Sequence, residues 1–357
     1  MPSSVPEQND AGLVAILASG MVTAAGFNSR STCAAIRAGV SGVRTGNIPD
    51  PSVGEGLPAG RPDPPQWWEG PDMLAELAAP AVLECFDSLP PGTDRSKVPV
   101  FVLLSPLDRP HRPADLDRIV LDALVDRLPF DLDSESGVLH SGRTGVLAAF
   151  LRARGLFGGR HATHAVIVGA DSFLRRPVVE AYMERRRVLT GDNSNGFIPG
   201  EAACAVLIAP SRERGGPELR IVGWGGGRET GTIDSEEPLT GDGLTAAVRE
   251  ALARPKVKMA ETKYWLTDQN AEHYKAKECT LVQARLLRRN RPGLPAYEIW
   301  NPIEYLGDIG SAIGPCLLGL ALVASRGGYA PGPMALMHVG EDDGDRAAFV
   351  LQWTEAK

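Results

Sequence analysis

Asn195-Gly-Phe-Ile-Pro-Gly-Glu-Ala-Ala-Cys-Ala-Val-Leu-Ile208 runs from a turn-forming Asn-Gly pair through a second glycine into an unbroken apolar stretch. A short apolar run bounded by turn residues reads as a buried strand, here Ala203 to Ile208. Far upstream, Leu13-Val-Ala-Ile-Leu-Ala-Ser-Gly-Met-Val-Thr-Ala-Ala-Gly26 is a second apolar run, broken at Gly20 and followed by Ser31-Thr-Cys-Ala-Ala-Ile-Arg-Ala-Gly39 and Ser41-Gly42. Downstream, Gly307-Asp-Ile-Gly-Ser-Ala-Ile-Gly-Pro315 packs small residues ahead of an apolar helix from Gly314 to Ser325.

Between these stretches strands and helices alternate. Helical periodicity predicts helices over Met73 to Leu89, Ala114 to Leu128, Gly145 to Leu156 and Val178 to Arg187. Strands are expected at Val98 to Leu104 and Ala165 to Gly169, while Asn47 to Gln66, rich in Pro and Gly, reads as loop. After Glu213-Arg-Gly-Gly-Pro217 the pattern restarts with a strand at Leu219 to Trp224, a helix at Asp242 to Ala253, a strand at Lys263 to Leu266 and a helix at Ala276 to Leu287. A final strand spans Ala347 to Trp353. Such alternation implies an α/β protein with a largely buried sheet, and the restart near Arg214 implies two halves. The expected division is a loose tail at 1–10, a first half at 11–213 and a second half at 214–357.

Composition excludes several classes. The 357 residues can bury a large core, and 37 basic against 44 acidic side chains give a net charge of −7. No run of Lys or Arg is long enough to track phosphates, so nucleic acid is not an expected partner. No apolar stretch approaches the ~20 residues of a membrane span. The polar start from Met1 to Asp10 lacks a signal peptide's pattern, and a cytoplasmic location is expected. Cys33, Cys85, Cys204, Cys279 and Cys316 form no CxxC pair, so neither a zinc site nor a disulfide framework is indicated and no cofactor is expected.

Together, the three quoted stretches resemble the landmarks of a β-ketoacyl synthase of the thiolase superfamily. The stretch at Leu13 is similar to the family's opening strand, turn and first helix. That at Asn195 is similar to its aspartate-glycine-phenylalanine segment, with Asn195 in place of the aspartate. That at Gly307 resembles its glycine-histidine stretch, with Asp308 in place of the histidine. The resemblance implies a thiolase-like fold, two similar halves stacked in five layers as α-β-α-β-α.

Condensing enzymes of this family carry a cysteine at a helix N-terminus, where the thiol's pKa is lowered, and two histidines that assist decarboxylation and stabilise the enolate. Counting back from Val168-Gly-Ala-Asp171 puts the nucleophile position between His140 and Arg143, in Val138-Leu-His-Ser-Gly-Arg-Thr-Gly145, where no cysteine stands. His140 or Ser141 is the expected occupant. A serine beside a base accepts an acyl group, whereas Ser141 and Thr144 as simple helix caps explain the same residues. The first histidine's position falls on Asp268 or Gln269, with His273 nearby, and the second is Asp308. An unburied aspartate, with a reference pKa of ~3.9, is an anion and cannot donate to an enolate. In place of the family's glycine-rich oxyanion loop stands Met337-His-Val-Gly-Glu-Asp-Asp-Gly-Asp-Arg346, which reads as a solvated acidic loop. Oxygen ligation of a hard cation by Asp268, Asp308 and Asp343 is a further reading that their spacing does not require, and no metal is expected.

Other features carry weaker signals. Trp67-Trp68 reads as packed or as a partner patch, Gly223-Trp-Gly-Gly-Gly227 as the exit of a strand, and Arg175-Arg176 with Arg185-Arg-Arg187 as solvated helix flanks or contacts to a carrier's phosphate. The resulting expectation is a ketosynthase-like protein that has lost carbon-carbon condensation and acts as a non-catalytic partner subunit or adaptor. Its setting would be fatty-acid or polyketide synthesis, or a secretion system. Expected partners are a second copy, an active ketosynthase, an acyl carrier protein or a secretion-system component. The enzyme alternative is an acyltransferase or thioester hydrolase using Ser141 or His140 on acyl-CoA or acyl-carrier substrates.

Overall fold

The strand β1, Val14–Val22, pairs antiparallel along its length with a strand of its own series and, over Val14, Ala15 and Ile16, with the first strand of the next. The computed structural model describes residues 12–64, 66, 68–212, 216–287 and 297–355. The expected tail at 1–10, the 213/214 boundary and Trp67 lie outside the described residues.

From β1 the chain continues through α1 (Ser29–Arg37), a hairpin of β2 (Arg44–Pro49) and β3 (Gly56–Ala59), α2 (Met73–Phe86), β4 (Val100–Leu103), α3 (Leu116–Arg127), β5 (Gly137–Leu139), α4 (Gly145–Gly158), β6 (Ala165–Ser172), α5 (Arg176–Glu184) and β7 (Glu201–Pro210). The second series is β8 (Glu218–Arg228), α6 (Asp242–Ala253), β9 (Tyr264–Thr267), α7 (His273–Leu286), β10 (Glu298–Trp300), the short α8 (Ile303–Leu306), α9 (Ile313–Arg326), β11 (Met334–Gly340) and β12 (Asp345–Thr354). Strand order is β10-β9-β11-β12-β8-β1-β7-β6-β4-β5. The order β1-β7-β6-β4-β5 is repeated as β8-β12-β11-β9-β10, with the parallel and antiparallel pairings repeated too. This is the two-halved architecture that the alternation of elements implied.

Period-two alternation explains the layers. On β7, Ala202, Cys204, Val206 and Ile208 face a central core with α4 and α9, whereas Ala203, Ala205 and Leu207 face an outer core with α2 and α3. On the second half, Phe349 and Leu351 of β12 face the same central core, and Ala348 and Val350 face α6 and α7. Helices cover both outer faces and fill the middle, giving the α-β-α-β-α stack of a thiolase-like fold.

Two expectations need correction. Asn47 to Gln66 is not all loop, because it holds the end of β2 and all of β3, with Pro49 paired to Gly56. Gly223 to Gly227 is not a strand exit but the interior of β8. A Cβ at Gly223, Gly225 or Gly227 would stand 2.0, 2.3 or 2.1 Å from backbone oxygens of α6, so these glycines let that helix lie directly on the sheet. Gly20 does the same for α2 in the first half, 2.0 Å from the Ala81 oxygen. Among the described residues no helix is long and apolar enough to cross a membrane.

Candidate functional site: a buried ion-pair ring at the head of α4

β5 delivers the chain to the head of α4, where Leu104 N donates to Leu139 O at 2.9 Å and Gly142 N to Leu104 O at 3.2 Å. Gly142 has φ +54°, and a Cβ there would stand 2.0 Å from Glu341 Oε2, so the position suits glycine. The turn sends Arg143, 1% exposed, into the protein interior.

Arg143 Nη2 donates to Asp308 Oδ2 at 2.7 Å, and Nη1 to Glu341 Oε1 at 2.9 Å. Its main-chain N donates to Glu341 Oε2 at 2.8 Å, and Nη1 lies 3.8 Å from Asp342 Oδ1. Asp308, fully buried after the left-handed turn at Gly307, also accepts from Asn270 Nδ2 at 2.8 Å and Gly310 N at 3.1 Å. Asn270 Nδ2 reaches Glu272 Oε2 at 2.9 Å, and Glu272 takes Arg187 Nε and Nη2 at 2.8 and 3.0 Å. Arg187 closes on Asp342 at 2.7 and 3.2 Å. Arg143, Asp308, Asn270, Glu272, Arg187 and Asp342 thus form a closed ring that ties the first half to the second.

Two further pairs flank it. Asp268 accepts from Lys275 Nζ at 2.5 Å and Gly340 N at 3.0 Å, and Asp171 accepts both Nη atoms of Arg109 at 3.0 Å together with Ser311 N and Oγ at 2.9 Å. Phe173, Tyr182 and Phe197 form an aromatic bed, with Arg109 4.1 Å above Phe173 and Arg187 5.3 Å from the Tyr182 ring.

Charge states follow from these partners. Burial pushes the Asp308 carboxyl up, but Arg143 and then Lys275 outweigh it and hold the group below its ordinary range. Asp268 is lowered in the same way, burial being outweighed by Lys275 and Arg143. Asp342 is held far down against burial by Arg187 and Arg143. At Glu341 burial prevails over Arg143, and neighbouring Asp342 adds to it, so this carboxyl is pushed up.

The expected site residues fall in different places. Asp268 and Asp308 are buried in this region, as anions with cationic partners. His140 is half exposed at the surface, its Nδ1 3.8 Å from Asp117 Oδ2. Neither Ser141 nor Thr144 makes a side-chain capping bond, so the cap reading fails for both; Thr144 Oγ1 donates back to Ser141 O at 3.0 Å. His273 is exposed at the start of α7, with its N donating to Asn195 Oδ1 at 2.7 Å. The acidic loop is not simply solvated: Glu341 is buried on Arg143, and Asp342, a quarter exposed, pairs with Arg187. Arg187 is therefore no solvated helix flank. Asp268, Asp308 and Asp343 each have a separate cationic neighbour, and among the described residues no group of three or more His, Cys, Asp or Glu is arranged to hold a metal. Trp68 is packed, donating to Asp72 Oδ1 at 3.0 Å.

Arg143 and Arg187, which complete the ring, were missed because the sequence reading sought nucleophiles and bases. The available signal was an arginine inside the His140–Arg143 window together with Asp308 and with Asp268, one of the two residues on which the first histidine's position falls.

An arginine cannot take an acyl group, and it stays protonated in proteins. In the β11–β12 loop three successive amides are engaged: Gly340 N on Asp268, Glu341 N on Asp345 O at 2.9 Å and Asp342 N on Glu341 Oε1 at 3.0 Å. All five cysteines are buried, and burial pushes Cys33 up to about 12 and Cys279 up to about 11. The ion pairs join residues of the first half to residues of the second.

No protein-family model matches this sequence, and no curated protein matches it. Solved structures do. The ishigamide ketosynthase/chain length factor superposes with a TM-score of 0.69 at 20% identity, over 96% of this chain and 99% of that one. A ketosynthase in complex with its chain length factor from Xenorhabdus doucetiae gives 0.71 at 17% identity, over 99% and 100%. A β-ketoacyl synthase from Burkholderia phymatum gives 0.70 at 15% identity, over 96% and 100%. At these identities the likeness is one of fold: the chain has the thiolase-like fold of ketosynthases and chain length factors.

Proposed function

We propose that this chain is a non-catalytic, ketosynthase-like partner subunit of a fatty-acid or polyketide-type synthase, pairing with an active ketosynthase. The observation that carries this reading is Arg143, fixed by Asp308 and Glu341 where the fold's nucleophile is expected. The structural neighbours add support, since they include a ketosynthase in complex with its chain length factor and an acyl-carrier protein in complex with its ketosynthase. They favour the synthase setting over a secretion-system adaptor and a heterodimer over a homodimer.

The acyltransferase or hydrolase reading needs a base on Ser141, or His140 turned into a pocket. Among the described residues neither is found, and His140 faces Asp117 at the surface.

Co-expression with an active ketosynthase from the same organism, followed by light scattering on the purified material, tests the proposal. A stable one-to-one heterodimer is expected. A chain that purifies alone and leaves the ketosynthase's products unchanged contradicts it.

A further inference from the structure

We propose that the cavity between the β2–β3 hairpin and α5 binds a small amphiphilic carboxylate, an acid with a single apolar tail. This site is separate from the ion-pair ring and does not depend on the partner-subunit reading. Its volume of about 370 Å³ lies in the ~300–1,000 Å³ range of small-molecule sites.

The walls supply two kinds of contact. Ile48, Leu57, Leu174 and Val179 give an apolar floor, three of them belonging to the cluster built on Phe173, Tyr182 and Phe197. That packing gives the floor a fixed shape. At the rim stand Arg44 and Arg61, opposed by one acid, Asp63. Arg44 Nη1 donates to Ser41 O at 2.6 Å and Val43 O at 2.8 Å, so neutral carbonyls hold the guanidinium in place without neutralising it. In a chain of net charge −7, this is a locally positive edge above an apolar hollow.

A tail in the hollow with an anion at the rim satisfies both. A guanidinium is well matched to a carboxylate, and the tail gains by leaving water. A cationic amphiphile of the same length keeps the second contribution and meets repulsion at the rim, so charge is the discriminating property.

Isothermal titration of the whole chain with decanoate tests this, with decylamine as the opposite-charge control and Arg44→Gln and Ala59→Phe as variants. Arg44 is exposed, so the first variant should leave folding intact; Ala59 lines the cavity, so the second fills it. Thermal unfolding checks both. Saturable one-to-one uptake of decanoate is expected, weakened about tenfold by Arg44→Gln and abolished by Ala59→Phe. The proposal is overturned if decanoate does not saturate, if decylamine binds as tightly, or if folded Arg44→Gln or Ala59→Phe protein keeps wild-type affinity.

Discussion

Arg143 holds Glu341 twice, through its main-chain amide at 2.8 Å and its guanidinium at 2.9 Å, so the head of α4 is fastened to the β11–β12 loop. The two residues belong to different halves of the chain. Glu341 leaves no room for a Cβ at Gly142, and Arg143 reaches on to Asp308 as a member of the ring.

Arg143→Met should be strongly destabilising. It leaves Asp308 and Glu341 buried without their cation, and breaking a buried pair from one side costs about 3–5 kcal/mol. Urea unfolding is the measurement, and a loss below about 1 kcal/mol would show that the ring contributes little to stability.

Acid should weaken the fold through Asp308 and Asp268. Both carboxyls have lowered pKa in the folded state, so their contribution is complete above the unfolded value of ~3.9 and is lost as pH falls through the folded one. Asp308→Asn should flatten the decline below about pH 4 in unfolding midpoints against pH, and an unchanged slope would count against the assigned charge state.

His338 gives a separate window. Burial holds its imidazole down to about 4, so between ~6.5 and that value the unfolded chain binds a proton that the folded chain does not. Stability should therefore fall as pH drops through this range, by on the order of 3 kcal/mol in full. His338→Asn should remove that segment of the curve while leaving the steeper acid limb.

Two glycines should respond in opposite directions. Gly225→Ala places a Cβ 2.3 Å from the Ala247 oxygen and forces α6 off the sheet, with an expected cost above about 2 kcal/mol. Gly155, inside α4 with open space around it, should gain roughly 0.5–1 kcal/mol as alanine. Equal shifts in thermal midpoint for the two variants would refute the packing account.

The fold was largely legible because the strands buried on both faces appear as short apolar runs at β1, β6 and β7, and because the β-α alternation restarts in the second half. The hairpin was hidden by its prolines and glycines, and β10 by having only three residues. The site was half legible: Asp268 and Asp308, singled out in the sequence, are both buried among the ion pairs. The ring was not, since Arg143 is 165 residues from Asp308 and 198 from Glu341, and no local pattern couples positions so far apart. Arg187, in a run of three arginines, looked like a solvated flank until the structure set Glu272 and Asp342 against it.

Intact mass spectrometry of the purified chain after incubation with a panel of acyl-CoA and acyl-carrier thioesters, beside a Ser141→Ala variant, tests the central claim most directly. An unchanged mass with every donor is predicted, because the head of α4 presents Arg143 and, among the described residues, no base is hydrogen-bonded to Ser141. A covalent acyl adduct on the wild type that disappears in Ser141→Ala would contradict the account and make Ser141 a working nucleophile.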